Sequence, residues 1–152
     1  MSVYDKLKEL QVNLPAPITP AAAFLMTVRT GNLLFVSGHI ARRDGKPWTG
    51  QLGAELATQE GKQAARNAAI DVIATMHQAL GDLNKVRRIV KVLSLVNSTA
   101  RFTEQHLVAN GASELLQAVF GEKGKHARSA IGVAQLPLGT CFEIELVAEI
   151  AD

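Results

Sequence analysis

The run Val86–Asn97, V-R-R-I-V-K-V-L-S-L-V-N, constrains the fold more than any other. From Ile89 onward it is β-branched and apolar at successive positions. Successive residues of a strand point to opposite faces, so a strand apolar on both sides needs cover on both sides. On each side of it in the chain lies a helical pattern. Over 58–80, Ala64, Ala68, Val72, Met76 and Leu80 recur every four residues with Ala65, Ala69 and Ile73 beside them. That makes a broad apolar face, with Thr58 as a candidate N-cap and Gly81 as a natural stop. Over 103–120, Leu107, Val108, Ala112, Leu115, Leu116 and Val119 repeat the spacing up to Gly121. Asn110-Gly111 lies inside that stretch and reads either as helix or as a turn that splits it.

The remaining segments complete a pattern. Val3, Leu7 and Leu10 predict a short helix, and Pro15, Pro17 and Pro20 an extended connector. Runs 22–29 and 33–40 flank Thr30-Gly31-Asn32, a hairpin signal. Residues 41–57, rich in glycine, read as a surface loop, with Trp48 as its anchor or as a lid. Strands are expected at 127–135 and 141–150. The order β-β-α-β-α-β-β gives an α+β domain with a mixed sheet and two helices on one face. The other face, with Val90, Val92 and Val96 or their alternates, also requires cover, and a subunit interface is the economical source. The whole of 1–152 reads as one domain, with 1–20 as an N-terminal helix and proline-rich extension.

Composition narrows the setting. A chain of 152 residues, 47% hydrophobic and 20% charged, suits one soluble domain with a real core. A net charge of +2 with interspersed acids makes nucleic acid an unlikely partner; Lys85, Arg87, Arg88 and Lys91 form a short cluster read as a solvated edge, with an RNA patch as the lesser alternative. The single cysteine, Cys141, forbids an internal disulfide and fits a reducing, cytoplasmic setting. The charged N-terminus lacks a signal peptide's apolar core, and no apolar run approaches the roughly 20 residues that span a bilayer. His39, His77, His106 and His126 show no metal-ligand spacing, so no metal site is expected.

The stretch His126–Glu145 carries the chemistry. By alternation Arg128, Ala130, Gly132 and Ala134 share one face, opposite Ala127, Ser129, Ile131 and Val133. A guanidinium among small residues can seat a carboxylate bidentately. It can equally pair with an acidic neighbour, the small residues serving tight packing, and the spacing leaves both open. A proline turn then returns Glu143 on what reads as the neighbouring strand, and alternation alone puts Glu143, Glu145 and Glu149 toward solvent.

Two strings, G-N-L-L-F-V-S-G-H-I at 31–40 and A-R-S-A-I-G-V-A-Q-L-P-L-G…F-E-I-E at 127–145, resemble the RidA/YjgF family of reactive-intermediate deaminases over roughly residues 20–150. The N-terminal helix resembles a longer branch of it. The resemblance implies a chorismate-mutase-like fold and a homotrimer with the sheets packed at its centre and active sites between protomers. It implies hydrolysis of small 2-imino or enamine acids to 2-keto acids and ammonia without metal or cofactor. Arg128 matches the position that clamps the substrate carboxylate, and Glu143 the one that helps hold the attacking water. Gly38 and Ala130 match backbone positions lining the pocket. The chain departs from the pattern at Ala130, where cysteine is common, at Phe24, where tyrosine is usual, and at His106, which aligns near the usual asparagine; Phe24 and His106 then become pocket-lining candidates. Two other functions fit a chain of this kind. One is a non-catalytic trimer that binds or senses small carboxylates, and the other an endoribonuclease or translation inhibitor.

Overall fold

The computed structural model describes residues 1–152. Helix α1 (Val3–Glu9) starts in a capping box, with the Ser2 hydroxyl accepting from the Asp5 amide and the Asp5 carboxylate accepting from the Ser2 amide. It is tied to the body by the Tyr4 hydroxyl, which accepts from the Leu83 amide at 2.9 Å and lies 3.0 Å from His77 Nδ1. Strands β1 (Thr27–Thr30) and β2 (Leu33–Ile40) form the expected hairpin around Gly31, whose φ of +57° suits glycine. Strand β1 is shorter than the apolar run 22–29. Its first residue, Thr27, pairs with Val36, the position at which the β2–β7 register also shifts.

The loop expected over 41–57 contains a two-strand ribbon, β3 (Arg42–Arg43) and β4 (Lys46–Pro47). Asp44 and Gly45 both have positive φ, the backbone of a tight hairpin turn. Trp48 is buried behind it, with the Arg43 guanidinium 4.4 Å from its ring centroid. Trp48 is thus an anchor.

Helix α2 (Thr58–Leu80) buries Ala64, Ala65, Ala68, Ala69, Val72, Ile73 and Met76 completely and ends at Gly81 with φ +71°. Thr58 is its first residue and not its N-cap. Its hydroxyl donates to Glu104 at 2.6 Å, while Glu60 accepts from the Ala57 amide at the helix start. Helix α3 (Gln105–Phe120) runs unbroken through Asn110-Gly111, so the split-helix alternative falls. Gly111 is there for packing: a Cβ on it would run into the backbone carbonyl of Lys62 on α2.

Strands β5 (Val86–Asn97), β6 (Ala127–Val133) and β7 (Phe142–Ile150) join the first two in one sheet of order β1-β2-β7-β5-β6. The β5–β6 pair is parallel and the others antiparallel, which makes the sheet mixed as expected. Both long helices lie on one face, over Leu34, Val36, Val92, Val96, Ile144, Leu146 and Ala148. Two bulges in β5, at Val86/Arg88 and Ile89/Lys91, reset its alternation. Val92 and Val96 therefore lie under the helices, and Leu93 and Leu95 are what the open face presents.

That open face carries apolar side chains on every strand but also Lys91, Glu143 and Glu145. The register aligns Val28, Phe35, Val147, Lys91 and Ala127 in one row through all five strands. Val28, Phe35 and Ile131 are 51%, 43% and 47% exposed, values that mark an uncovered face rather than stray surface residues. No helix is long and apolar enough to cross a membrane.

Candidate active site

Arg128 sits on β6, an edge strand, in register with Val92 of β5. It therefore projects to the helix side, where the first turns of α3 pass beside it. Its Nη1 donates to Asn110 Oδ1 at 2.9 Å and to Ser113 Oγ at 3.1 Å, and its Nη2 donates to the His106 carbonyl at 3.4 Å. His106, Asn110 and Ser113 follow one another at helical spacing, so one stripe of α3 meets the guanidinium. Every acceptor is neutral, and no ion pair in the chain involves Arg128. The acidic-neighbour alternative is thereby removed. The guanidinium is half-buried, aligned and without a counter-charge, as a carboxylate seat requires.

The small residues beside it have mixed reasons. A Cβ on Gly132 would come within 2.6 Å of Ser98 Oγ and 2.9 Å of Gln105 Nε2, so Gly132 admits the start of α3. Ala130 is opposite Ser94 and half-buried, and the wholly buried Ser94 hydroxyl has no hydrogen-bond partner.

Glu143 lies elsewhere. It is on β7, opposite Ile40 of β2 and Leu95 of β5, and it faces the open side. Strand β5 separates β7 from β6, so Glu143 is not on the strand next to Arg128 as the proline turn suggested. Two inter-strand steps amount to about 10 Å, and the side chains leave opposite faces. Glu143 folds over Gly38: a Cβ at Gly38 would be 2.8 Å from Glu143 Oε2. Its carboxylate accepts no hydrogen bond in the chain. Burial, and next the charge of Glu145, push its pKa above the usual carboxylate value.

The candidate residues therefore form two half-sites in one protomer. Arg128, Ala130 and the His106 carbonyl lie at the β6 edge beneath α3. Gly38 and Glu143 lie on the open face of β2 and β7. The His106 side chain is exposed, and it is the backbone carbonyl that reaches Arg128. Phe24 precedes β1 at the far edge of the sheet and is 45% exposed, so it joins neither group within the chain. The sequence reading missed Asn110, Ser113 and His126. The available signal was the 106/110/113 stripe of polar groups, separate from the exposed Glu114 and Gln117 of the same helix.

The other histidines have structural surroundings. His39 is buried between the Ser37 carbonyl at 2.6 Å and Thr75 Oγ1 at 2.7 Å, and burial lowers its pKa. Cys141 is buried and its thiol is pushed up to about 11, which keeps it protonated and unreactive. No three His, Cys, Asp or Glu side chains gather as metal ligands would.

Comparison with known proteins agrees with this architecture. Residues 10–150 match the family described as "YjgF/chorismate_mutase-like, putative endoribonuclease". The chain is 49% identical over 150 residues to protein TCP17 of Trypanosoma cruzi, covering 97% of this chain and 94% of that one. Among solved structures it superposes on Atu1372 of Agrobacterium tumefaciens, a protein of unknown function, with TM-score 0.91 and 40% identity over 98% of this chain and 92% of that one. A "putative endoribonuclease" of Shewanella oneidensis superposes with TM-score 0.95 and 29% identity over 99% and 100% of the two chains.

Proposed function

The chain belongs to the YjgF/chorismate-mutase-like family, and from that premise we propose that it hydrolyses small, reactive 2-imino or enamine acids to 2-keto acids and ammonia. The observation that carries the reading is the Arg128 guanidinium, pinned by three neutral acceptors and lacking any carboxylate of its own. Its remaining N–H groups can take a substrate carboxylate bidentately, which contributes roughly 1.5–3 kcal/mol per charge-assisted bond.

In this reading Glu143 orients the attacking water. Water adds its oxygen to the electrophilic C2 of the iminium acid and passes a proton toward Glu143. The resulting carbinolamine receives that proton on nitrogen and the C–N bond breaks; the hydroxyl becomes the keto oxygen as its proton passes to the departing ammonia, which leaves as ammonium. An enamine substrate first takes a proton at carbon to become the iminium. Burial raises the Glu143 pKa, the direction that makes its carboxylate a stronger base toward the water proton. Holding substrate and water in line can itself lower a barrier by up to roughly 7–11 kcal/mol.

Because Arg128 and Glu143 leave opposite faces of one sheet, the reading requires them from different copies. A homotrimer with the open faces packed inward would cover Val28, Phe35, Leu93 and Ile131 and bring a β6 edge to the Gly38–Glu143 surface of the next copy. Phe24 would then contribute from the β1 edge. The near-balance of 16 basic against 14 acidic residues weighs against RNA cleavage as the main role.

The test is direct. Generate 2-iminobutanoate or 2-iminopropanoate in situ, trap what remains with semicarbazide, and run wild type beside Arg128→Ala. Accelerated imine loss that disappears in the variant supports the reading. No acceleration with either imine would leave a trimeric small-carboxylate binder as the better account.

A further inference from the structure

A short chain of hydrogen bonds runs from Arg128 back into the protein and ends at a histidine. His126 Nδ1 lies 2.6 Å from the Gly124 carbonyl, and His126 Nε2 lies 2.9 Å from Ser113 Oγ. Ser113 Oγ is also 3.1 Å from Arg128 Nη1. Both ends of the chain have a fixed sense. A carbonyl only accepts, so Nδ1 carries the proton, and a guanidinium only donates. In the neutral imidazole Nε2 is then an acceptor, the Ser113 hydroxyl must donate to it, and the oxygen lone pairs of Ser113 face Arg128.

Resting on the reading of Arg128 as the carboxylate clamp, we infer that His126, acting through Ser113, is the positioning residue of that clamp and that its protonation is coupled to carboxylate binding. Asn110 and Ser113 both accept from Nη1 of the guanidinium, and His126 fixes Ser113.

The sign of the coupling follows from the charges around His126. From β6 the group facing it is Arg128. Lys125, its chain neighbour, is engaged with Glu122 at 2.7 Å, and Lys91 of β5 stands opposite Ala127. From α3 it meets the neutral Ser113. The half-buried ring is held neutral by burial foremost, partly opposed by the Gly124 carbonyl, with the Arg128 charge also disfavouring protonation. A carboxylate bound to Arg128 cancels that charge, so His126 takes up a proton more readily when the clamp is filled. By reciprocity the clamp holds a carboxylate more tightly when His126 is protonated. Ser113 tolerates both states, because its oxygen has two lone pairs and can accept from His126 Nε2–H and Arg128 together.

The probe is 2-oxobutanoate, a stable 2-keto acid, titrated calorimetrically between pH 5.5 and 8 against wild type, His126→Gln, Ser113→Ala, Ser113→Thr and Arg128→Ala. Affinity for wild type should rise about fivefold or more as His126 protonates. The rise should be absent in His126→Gln, reduced in Ser113→Ala and recovered in Ser113→Thr. In turnover the same pH dependence should appear in KM and not in kcat. Nitrogen NMR of His126 should show the Nδ1–H tautomer in the free protein and a titration midpoint that moves up on saturation with 2-oxobutanoate. An Nε2–H tautomer, an unmoved midpoint, or an identical pH slope in His126→Gln would overturn the inference while Arg128 remained the clamp. Undiminished binding by Arg128→Ala, or no binding by wild type, would instead overturn the clamp reading itself.

Discussion

Gly111→Ala tests whether the close approach of the two helices is as tight as the structure places it. In an unhindered helix interior this change stabilises by about 1 kcal/mol, because alanine loses less backbone freedom than glycine. Here the new methyl would collide with the Lys62 carbonyl, a backbone atom that cannot swing aside. Relief requires α2 and α3 to separate. That would loosen contacts of Ala64, Ala65 and Ala68 on one helix and Val108 and Ala112 on the other, all fully buried. Overpacking of this kind costs roughly 1–3 kcal/mol and more where backbone must move. The helix-propensity gain offsets only part of it, so a net loss of about 1–2 kcal/mol is expected. For a chain of this size that is a fall in Tm of roughly 2–8 °C. Thermal unfolding by circular dichroism at one protein concentration measures it, the concentration being fixed because assembly shifts Tm. A variant as stable as wild type, or more so, would refute the packing argument and revive a turn at Asn110-Gly111.

Four further outcomes follow from the same structure. Glu143→Gln should cut imine turnover by roughly 10²-fold or more while leaving 2-oxobutanoate affinity near wild type, read by kcat and calorimetry. Because folding raises the Glu143 pKa, it destabilises the fold at pH above the ordinary glutamate range; Glu143→Gln should therefore be the more stable protein at neutral pH in urea unfolding, with the gap closing as pH falls. His39 has a folded pKa below its ordinary value of 6.5, so stability is full above that value and is lost as pH falls below it; His39→Gln should flatten that acid limb of the stability–pH curve, whatever its offset. Phe35→Asp places a charge among the apolar side chains of the open face, on β2 and three strands from Arg128, and should yield a 16.3 kDa monomer by light scattering that has lost imine turnover.

Much of the fold was legible because its signals are local and periodic. The alanine face of α2, the hairpin at Gly31 and the long apolar β5 each follow from spacing. What escaped depended on neighbours the sequence does not place. Asp44-Gly45 is a hairpin signal, but it joins strands of two residues each, too short to show alternation. Gly111 reads as a helix breaker until Lys62 is seen beside it. Spacing left open which face of β5 the helices cover, and the bulge between Ile89 and Lys91, which puts Val92 and Val96 under them, leaves no sequence signal. At the candidate site, alternation put Arg128, Ala130 and Gly132 on one face correctly. Chain order suggested that β7 follows β6 in space, whereas β5 is inserted between them by a parallel crossover through α3. The partners of Arg128 were hidden for the same reason: they come from that crossover helix, and hydrogen bonding between elements leaves no periodicity.

The most direct measurement is subunit complementation. Arg128→Ala and Glu143→Gln, each inactive alone, are co-expressed with different tags, and assemblies carrying both tags are assayed for loss of 2-iminobutanoate beside wild type. If each site takes Arg128 from one copy and Glu143 from the next, every trimer carrying both tags regains one complete site in three and recovers roughly a third of wild-type activity. If both groups act within one chain, no site in any mixture holds the pair. Activity at the level of the parent variants would then contradict a site shared between copies.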